Sequence, residues 1–512
     1  MQLSLQHIEN VEIDNFQKDD FSTFFEKNKN HAERKEFAQF FTHKNLVKHI
    51  IEKLDITENS TVLDPACGAG AFLFQIQNLT SKIYGIEIDK DAAYLCQQNL
   101  NCNYKNIIIK NTLKDFDLKR DFPEIYKNNG FDFIIGNPPF QNLKKDKDYD
   151  SNSKIYKEVT NGVANSATLM VAKAIEILKD KGTLAFVLPK NVLRVDTFSN
   201  LRKFLLNNTT ILNITDLGQF FKDVRGDQIF IILKKEIPHK EHRITIEILD
   251  NPKNFNKIKK YQVLQAKYKE FKIFPTFYDS GLFQIYDKFK AYNLSLNDVC
   301  NGNIFRGISL ERKGYLYDNK SSKNMMLTYR GASIERFGIK KTFYINADNI
   351  KNKKIEKLKQ NKIILQNLCS KEGGIFATLS NENELNIDTV TNVIPDKINI
   401  KYLLGLLNSK ITNIFIIYLV FLHSNFTMHT DKTYLGNLPI AQPSEKQEQI
   451  VINLVDKLLQ IKDKYSKEFF IYYNELNEVL YDIYKFNLDE RKLINSILKE
   501  GMSKKQNGRT NE

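Results

Sequence analysis

Short apolar runs of strand length alternate with stretches whose apolar positions recur three or four apart, from Leu46 as far as Leu233. The first stretch is helical. Leu46, Val47, Ile50, Ile51 and Leu54 fall on one face, with Thr42 ahead of them as a cap. Thr61 to Asp64 predicts a buried strand, Pro65 to Gly70 a loop, and the residues up to Leu79 a helix. Lys82 to Ile88 reads as a second strand, Asp91 to Leu100 as a helix and Ile107 to Ile109 as a third strand. A fourth, Phe131 to Ile135, runs directly into Asn137-Pro138-Pro139-Phe140. A helix over Thr168 to Leu178 leads to strands at Thr183 to Leu188, Ile211 to Leu217 and Gln228 to Leu233. Strands alternating with helices predict an α/β, doubly wound, mainly parallel sheet with helices on both faces.

The pattern changes after Pro238. Residues 241–275 are lysine-rich with short apolar runs and read as a connector. Residues 276–440 consist of short mixed segments with turn pairs such as Gly373-Gly374, which suits a mixed α+β domain. Residues 441–500 read as helical: Ile450, Leu454, Leu458 and Ile461, then Leu476, Val479 and Ile483, recur at helical spacing. The polar residues 501–512 are expected to be a disordered tail, and residues 1–35 form a polar extension without periodicity.

At 512 residues the chain exceeds what one hydrophobic core serves, so two or three domains are expected. Hydrophobic residues at 42% and charged residues at 27% exclude wholesale disorder. The longest apolar run, Ile414 to Leu422, is far short of a bilayer span, so no membrane partner is expected. The N-terminus has no basic stretch leading into an apolar one, as a secretory signal would. Five scattered cysteines without a CxxC pair give neither a disulfide framework nor a zinc cluster, and a reducing cytoplasm is the expected location. Lysine and arginine (75) outnumber aspartate and glutamate (61), a net charge of +14. That excess favours a polyanionic partner, nucleic acid first.

Candidate chemistry begins at Val62-Leu63-Asp64-Pro65-Ala66-Cys67-Gly68-Ala69-Gly70, a strand, a glycine turn and a helix start. Gly68 and Gly70 allow a ligand to approach the backbone closely, and ligands of open α/β sheets collect at the carboxyl ends of strands. The next strand ends at Glu87, where an acidic side chain can grip a ribose diol. A dinucleotide-binding turn is the obvious rival. Against it, Leu73 stands where a third glycine belongs, and the strand ends in Asp64, which would repel a pyrophosphate. An acidic group there suits a ligand with an ammonium, such as the methionine part of S-adenosylmethionine. Cys67 reads as a small buried packing residue.

Asn137-Pro138-Pro139-Phe140 is the sharpest signal, since the chain has only 11 prolines. A rigid strand-ending turn is its plain structural reading. Its chemical reading concerns an exocyclic amine of a nucleobase, whose lone pair is delocalised into the ring. Two acceptors on the two amine hydrogens favour a pyramidal nitrogen with its lone pair directed outward. The Asn137 side-chain oxygen and the Pro138 carbonyl are candidates for those acceptors. Pro138 and Pro139 would lock the loop, and Phe140 would stack on the base.

With these motifs in this order, the chain resembles the gamma-class, TaqI-like adenine-N6 DNA methyltransferases and their restriction–modification relatives. Glu36-Phe37-Ala38-Gln39-Phe40-Phe41-Thr42 is similar to the family's leading motif, whose threonine contacts the cofactor. Asp64 to Gly70 resembles the cofactor loop, Gly85-Ile86-Glu87 the ribose-binding strand end, and Asn137 to Phe140 the catalytic loop. Leu217-Gly218-Gln219-Phe220-Phe221 resembles the segment carrying a second aromatic that stacks on the extruded adenine; Phe221 is the better match and Phe220 the reserve. Three departures stand out: His43 replaces a common proline, Phe140 a common tyrosine, and Asn111 an aspartate that usually touches the cofactor adenine, with Asp115 as its rival.

The resemblance implies a Rossmann-like, S-adenosylmethionine-dependent methyltransferase domain over residues 36–240 and a DNA target-recognition domain over 276–440. Its cofactor contacts would be Thr42, Asp64, Ala66, Gly68, Gly70, Glu87, Asn111 and Asn137, with Asn137, Pro138, Pro139, Phe140 and Phe221 around the target base. Fragments such as Leu327-Thr328-Tyr329-Arg330-Gly331 and Leu403 to Lys410 resemble the recognition region. Arg306, Arg330 and Arg336 are its candidate base readers, each able instead to pair with a local carboxylate. The lysine run Lys351, Lys353, Lys354, Lys357, Lys359 and Lys362 suits either a solvated helix face or phosphate contact.

The expected activity is therefore methyl transfer to N6 of a flipped adenine in double-stranded DNA, with no metal and no covalent intermediate. Cytosine N4, RNA and protein glutamine are rival acceptors, and a non-catalytic specificity subunit is the rival outside enzymes. Only about 36 residues precede the first motif, too few for a fused nuclease domain. A separate restriction endonuclease or specificity subunit is the partner to expect.

Overall fold

The computed structural model describes residue 42 and residues 44–507, save 101–103, 222–225, 250–254, 256–257, 272, 310–315, 347–353 and 427. The leading motif up to Phe41, with His43, Cys102, Lys351 and Lys353, lies outside the described residues, as does the extension 1–35. The chain divides into two compact units, Met1–Thr276 and Phe277–Glu512.

The first unit is built on a nine-stranded sheet. Its strands are β1 (Val62–Asp64), β2 (Ile83–Glu87), β3 (Ile107–Ile109), β4 (Phe131–Gly136), β5 (Leu178–Pro189), β6 (Thr210–Gly218), β7 (Gln228–Lys234), β8 (Arg243–Leu249) and β9 (Ile258–Leu264). Their spatial order is β3-β2-β1-β4-β5-β7-β6-β8-β9. Pairing is parallel from β3 through β5 and between β6 and β8, whereas β7 runs antiparallel to both of its neighbours and β9 to β8. The mainly parallel, doubly wound sheet expected from the alternation is thus observed, with an antiparallel strand inserted beside β5.

Helices α1 (Lys44–Ile51), α2 (Ala71–Ile76), α3 (Lys90–Asn99), α4 (Ser166–Ile177) and α5 (Ser199–Asn208) belong to this unit. The stripe predicted from Leu46 is buried: Leu46, Val47 and Ile50 are fully enclosed, in one cluster with Phe72, Leu73 and Ile76 of α2 and Phe230 of β7. Asp89 caps α3 by accepting from the amides of Asp91 and Ala92, and Asn165 caps α4 through Ala167. Ser166 therefore opens a helix whose every residue but Lys173 and Glu176 is buried.

The expected connector over 241–275 is corrected: this segment supplies β8 and β9 of the sheet. Ile244, Ile246 and Ile248 alternate into the core, a period-two signal that the surrounding lysines obscured. Glu247, on the opposite face, is buried too. It is held by Lys53 Nζ at 2.9 Å and by Thr215 Oγ1 at 2.8 Å.

The second unit mixes small sheets and helices, as expected for 276–440. One antiparallel sheet places Ile304–Arg306, Val390–Val393, Lys362–Gln366 and Ala377–Ser380 side by side. Another places Met325–Tyr329 between Phe343–Asn346 and Leu385–Asn386. Helices Glu445–Gln460, Lys467–Ile483 and Leu488–Asn507 form the C-terminal segment. The last of these corrects the expected tail: helix continues beyond Gly501 to Asn507. Among the described residues no single helix is long and apolar enough to cross a membrane, and the apolar pair Ile400–Asn408 and Lys410–Val420 bends by 55°.

Candidate active site

Strand β1 delivers Asp64 to the carboxyl edge of the sheet, between β2 and β4. The chain then turns through Gly68 (φ 53°) and Gly70 (φ 91°), a backbone conformation glycine adopts without steric penalty. A Cβ on Gly68 would meet nothing within 4 Å, so this glycine faces open space, whereas one on Gly70 would meet Cys96 Sγ at 2.9 Å. Gly70 is thus a packing glycine. Gly68 is the one that leaves room for a ligand.

A cavity of about 570 Å³ opens over this turn, within the range of small-molecule sites. Thr42, Asp64, Ala66, Gly68, Glu87, Asn111 and Asn137 all face it, as does Pro139. Gly70, Pro138, Phe140 and Phe221 are not among its walls, and neither is Asp115. Residues from five separate segments of the sequence therefore meet at one site, as the carboxyl ends of β1, β2, β3 and β4 dictate.

The electrostatics are those of buried acids. Asp64 is 2% exposed. Burial raises its pKa to about 8, the Glu87 charge adds to the rise, and the Ala66 amide, donating at 3.1 Å, offsets part of it. Glu87 is raised as well by burial, against the opposing pull of three amides that donate to it: Asp89 at 2.9 Å, Gly68 at 2.8 Å and Ile88 at 3.0 Å. Hydrogen bonding to Cys96, reinforced by burial, pushes the Cys67 thiol well above its ordinary value, which fits a packing role. Among the described residues no group of His, Cys, Asp and Glu is placed to hold a metal ion.

Asn137 follows Gly136, the last residue of β4, and its Nδ2 donates to Thr42 Oγ1 at 3.2 Å. Thr42, expected as a cofactor contact, is thereby joined to the Asn-Pro-Pro-Phe loop as well. Sequence reasoning missed a further cavity residue that fixes that loop. Ser166, at the first position of α4, donates its hydroxyl to the Pro139 carbonyl at 2.5 Å and accepts from the Gln141 amide at 2.9 Å. Asn165-Ser166 ahead of a long apolar stretch was a legible helix start, but its proximity to Pro139 was not.

Asn111 lines the cavity with both halves of its amide engaged. Nδ2 donates to the Asp148 carbonyl at 2.9 Å and Oδ1 accepts from Leu113 N at 2.9 Å. The segment that follows the Asn-Pro-Pro-Phe loop is tied down there, with Asp150 N donating to the Leu113 carbonyl at 3.1 Å. Leu143, Lys144, Lys147 and Asp148 of that segment complete the cavity wall, and none was singled out from sequence.

Phe140 packs against the same hydrophobic cluster that contains Phe221 and Leu217, with Phe220 also against it. Phe221 is 9% exposed, and the Phe220 and Phe221 rings meet edge to face at 5.2 Å.

In the second unit the three arginines part company. Arg306 and Arg330 are exposed. Arg330 stacks over Phe343 at 4.6 Å. Arg336, by contrast, is 9% exposed and lies between Phe376 (5.3 Å) and Tyr473 (4.8 Å), so its expected reading role is corrected to a core one. The lysine run is corrected in part. Lys362 begins a strand, and its buried Nζ donates to the Glu384 carbonyl at 2.9 Å and Ser380 Oγ at 3.1 Å; burial lowers its pKa to about 8.

Comparison with known proteins follows the same division. The family model for N-6 DNA methylase matches residues 16–300, and that for the TaqI-like C-terminal specificity domain matches 326–440. A putative type II restriction enzyme and methyltransferase of Methanocaldococcus jannaschii, RM.MjaORFECS2P, is 28% identical over 416 residues, covering 76% of this chain and 34% of that protein. The type II methyltransferase M.HindII of Haemophilus influenzae is 26% identical over 296 residues, covering 55% of this chain and 52% of that protein. The chain thus spans between a third and about half of the length of these curated relatives. Among solved structures, the type IIL restriction-modification enzyme MmeI, determined in complex with DNA, superposes with a TM-score of 0.61. That match covers 92% of this chain and 76% of MmeI at 13% identity, a likeness of fold alone.

Proposed function

The chain belongs to the N-6 DNA methylase family, and from that premise we propose that it moves a methyl group from S-adenosylmethionine to the N6 amine of an adenine extruded from duplex DNA. One observation carries the reading. Asp64 of the glycine turn and Asn137 of the Asn-Pro-Pro-Phe loop wall a single cavity, and the Gly136 between them leaves no gap.

The residues fit the cofactor. A buried carboxyl at Asp64 suits an ammonium, Glu87 suits a ribose diol, and Gly68 leaves the backbone approachable. When bound, S-adenosylmethionine supplies a methyl group on a sulfonium, a leaving group that needs no further activation. What remains for the protein is positioning and polarisation. Asn137 Oδ1 and the Pro138 carbonyl would accept the two N6 hydrogens and turn the nitrogen lone pair toward the methyl carbon. Phe140 and Phe221 would hold the base by stacking, worth about 1–3 kcal/mol per ring. Thr42, bonded to Asn137, would set the angle of the clamp. The proton released by the new N-methyl amine would leave to water.

The TaqI-like specificity domain supports duplex DNA as the partner. A relative named as the methylase subunit of a type I restriction enzyme supports a separate restriction or specificity subunit, whereas the Methanocaldococcus jannaschii relative carries both names in one chain. Incubating the full chain with tritiated donor and duplex DNA, RNA or protein tests the acceptor. Label recovered as N6-methyladenine is expected; label as N4-methylcytosine, or in RNA or protein, would move the reading to that acceptor. Asn137→Ala is expected to keep donor binding and lose transfer, and transfer retained by that variant would refute the clamp. A chain that fails to bind donor in calorimetry would be a DNA-reading subunit without chemistry.

A further inference from the structure

The described residues on either side of positions 222–225 are held by a buried polar knot that the cofactor cavity does not use. Gln228, the first residue of β7, is 1% exposed. Its Oε1 accepts from the amides of Phe220 at 2.9 Å and Phe221 at 3.2 Å, and its Nε2 donates to the Gly226 carbonyl. One side chain thus grips both flanks of the segment. Beneath it, β7 at Gln228 pairs with Pro189 of β5 on one side and Gly218 of β6 on the other.

The frame around Gln228 is equally specific. Lys190 and Asp216, 3% and 1% exposed, form an ion pair at 2.5 Å. Asp216 Oδ1 accepts from Gly218 N at 3.0 Å, and Lys190 N donates to the Asp227 carbonyl at 2.8 Å. Register between β6 and β7 shifts between Asp216 and Gly218, and Gly218 takes φ 61°. Bulges of this kind re-aim the chain that follows. A buried ion pair contributes little net stability, because desolvating both charges offsets their attraction. An apolar residue at Gln228 would complete the sheet equally well. What the knot does fix is the direction in which the chain leaves β6, and hence where the Phe221 ring lies.

We propose that Gln228 is a positioning residue for the second aromatic: its buried amide, in the same strand-end frame as the Lys190–Asp216 pair, holds the backbone of Phe220 and Phe221 and so presets the Phe221 ring before DNA arrives. This rests on the proposed function, in which Phe221 stacks on the extruded adenine. A preset ring removes part of the ordering cost of extrusion.

The test uses the full chain and a duplex bearing the sequence found methylated in DNA from cells that express it. Single-turnover methyl transfer is measured with the target adenine paired and with it opposite a mismatch, normalised to donor sites counted by calorimetry. Gln228→Met is expected to slow transfer to the paired target by about tenfold or more, to slow transfer to the mismatched target less, and to leave donor affinity unchanged. In a Phe221→Ala background it is expected to change neither rate further. Gln228→Glu, which keeps the acceptor for both amides and, as the neutral acid that burial favours, a donor for the Gly226 carbonyl, is expected to retain the wild-type ratio between the two substrates. Equal slowing on both substrates, or losses that multiply in the Phe221→Ala background, would overturn the proposal. If wild-type protein gives no N6-methyladenine on either duplex, it is the proposed function that fails.

Discussion

A methyl group on Gly136 would sit 2.6 Å from Oδ1 of Asp64. That is inside any van der Waals limit, so the strand leading to the Asn-Pro-Pro-Phe loop can end beside the Asp64 carboxyl because its last residue is glycine. Gly136→Ala must push the Asp64 carboxyl or the start of the Asn137 loop aside. Transfer is expected to fall about a hundredfold, the scale of an ångström-sized displacement of reacting groups. Single-turnover rates together with donor titration check this, and wild-type values for both would show that the close contact has no role in catalysis.

Asp64 itself trades stability for binding. With its pKa raised to about 8, the folded protein retains a proton that the unfolded chain gives up near the ordinary value of 3.8. Its contribution to folding is therefore present below that lower value and is lost as pH rises through about 8. Asp64→Asn is expected to abolish donor binding while leaving the melting temperature of the free protein unchanged or higher at pH 8. A marked fall in melting temperature would contradict the buried, protonated acid.

The same group makes donor binding proton-linked. A cationic ammonium arriving beside Asp64 favours its ionised form, so at pH 7 binding should expel a proton. Affinity should rise from pH 6 toward about 8, where Asp64 ionises unaided. Calorimetry at pH 7 in two buffers of different ionisation enthalpy measures the proton directly, and identical heats in both would exclude the linkage.

Much of this was legible in the chain because it is local. Asp64-Pro65-Ala66-Cys67-Gly68 and Asn137-Pro138-Pro139-Phe140 each follow a strand, and parallel strands carry their carboxyl ends to one edge without further information. What escaped was encoded in distant partners. Ser166 reads as a helix start, and only the packing of α4 brings it to Pro139. Asn111 lines the cavity, but the bond from its Nδ2 to the Asp148 carbonyl joins residues that no spacing rule connects. The strand over Arg243–Leu249 was hidden by lysines at Lys257, Lys259 and Lys260, although Ile244, Ile246 and Ile248 alternate in plain view. Arg336 carried the chemistry of a base reader, but the rings that enclose it lie at Phe376 and Tyr473.

Ser166 leads to a prediction that separates positioning from binding. Removing its hydroxyl frees the Pro139 carbonyl and the Gln141 amide but touches neither Asp64 nor Glu87. Ser166→Ala should slow transfer by about tenfold, the range of a small misplacement, with donor affinity within twofold of wild type. Stopped-flow transfer and calorimetric titration distinguish the outcomes: Ser166 also lines the cavity, and a parallel loss of donor binding would show that its hydroxyl holds the donor as well as the loop.

The arginines of the second unit offer the last contrast. Arg336 stacks between two rings with no surface to present, so Arg336→Met should destabilise the protein by about 1–3 kcal/mol through lost cation–π contacts, leaving the methylated sequence unchanged. Arg306 is exposed at the end of a strand, and Asn367 supports it: with the amide assigned so that its nitrogen donates to Thr391 Oγ1 at 3.1 Å, its oxygen accepts from Arg306 Nε at 3.1 Å and from Nη2, leaving the Nη1–Nη2 edge outward. A guanidinium so held is preorganised for two parallel hydrogen bonds to a base edge, each such pairing worth about 1–3 kcal/mol of discrimination. Arg306→Ala should relax the methylated sequence at one position while the melting temperature stays put. Mapping modified adenines in cells expressing each variant reads both results, and an unrelaxed sequence in Arg306→Ala would remove Arg306 from the reading surface.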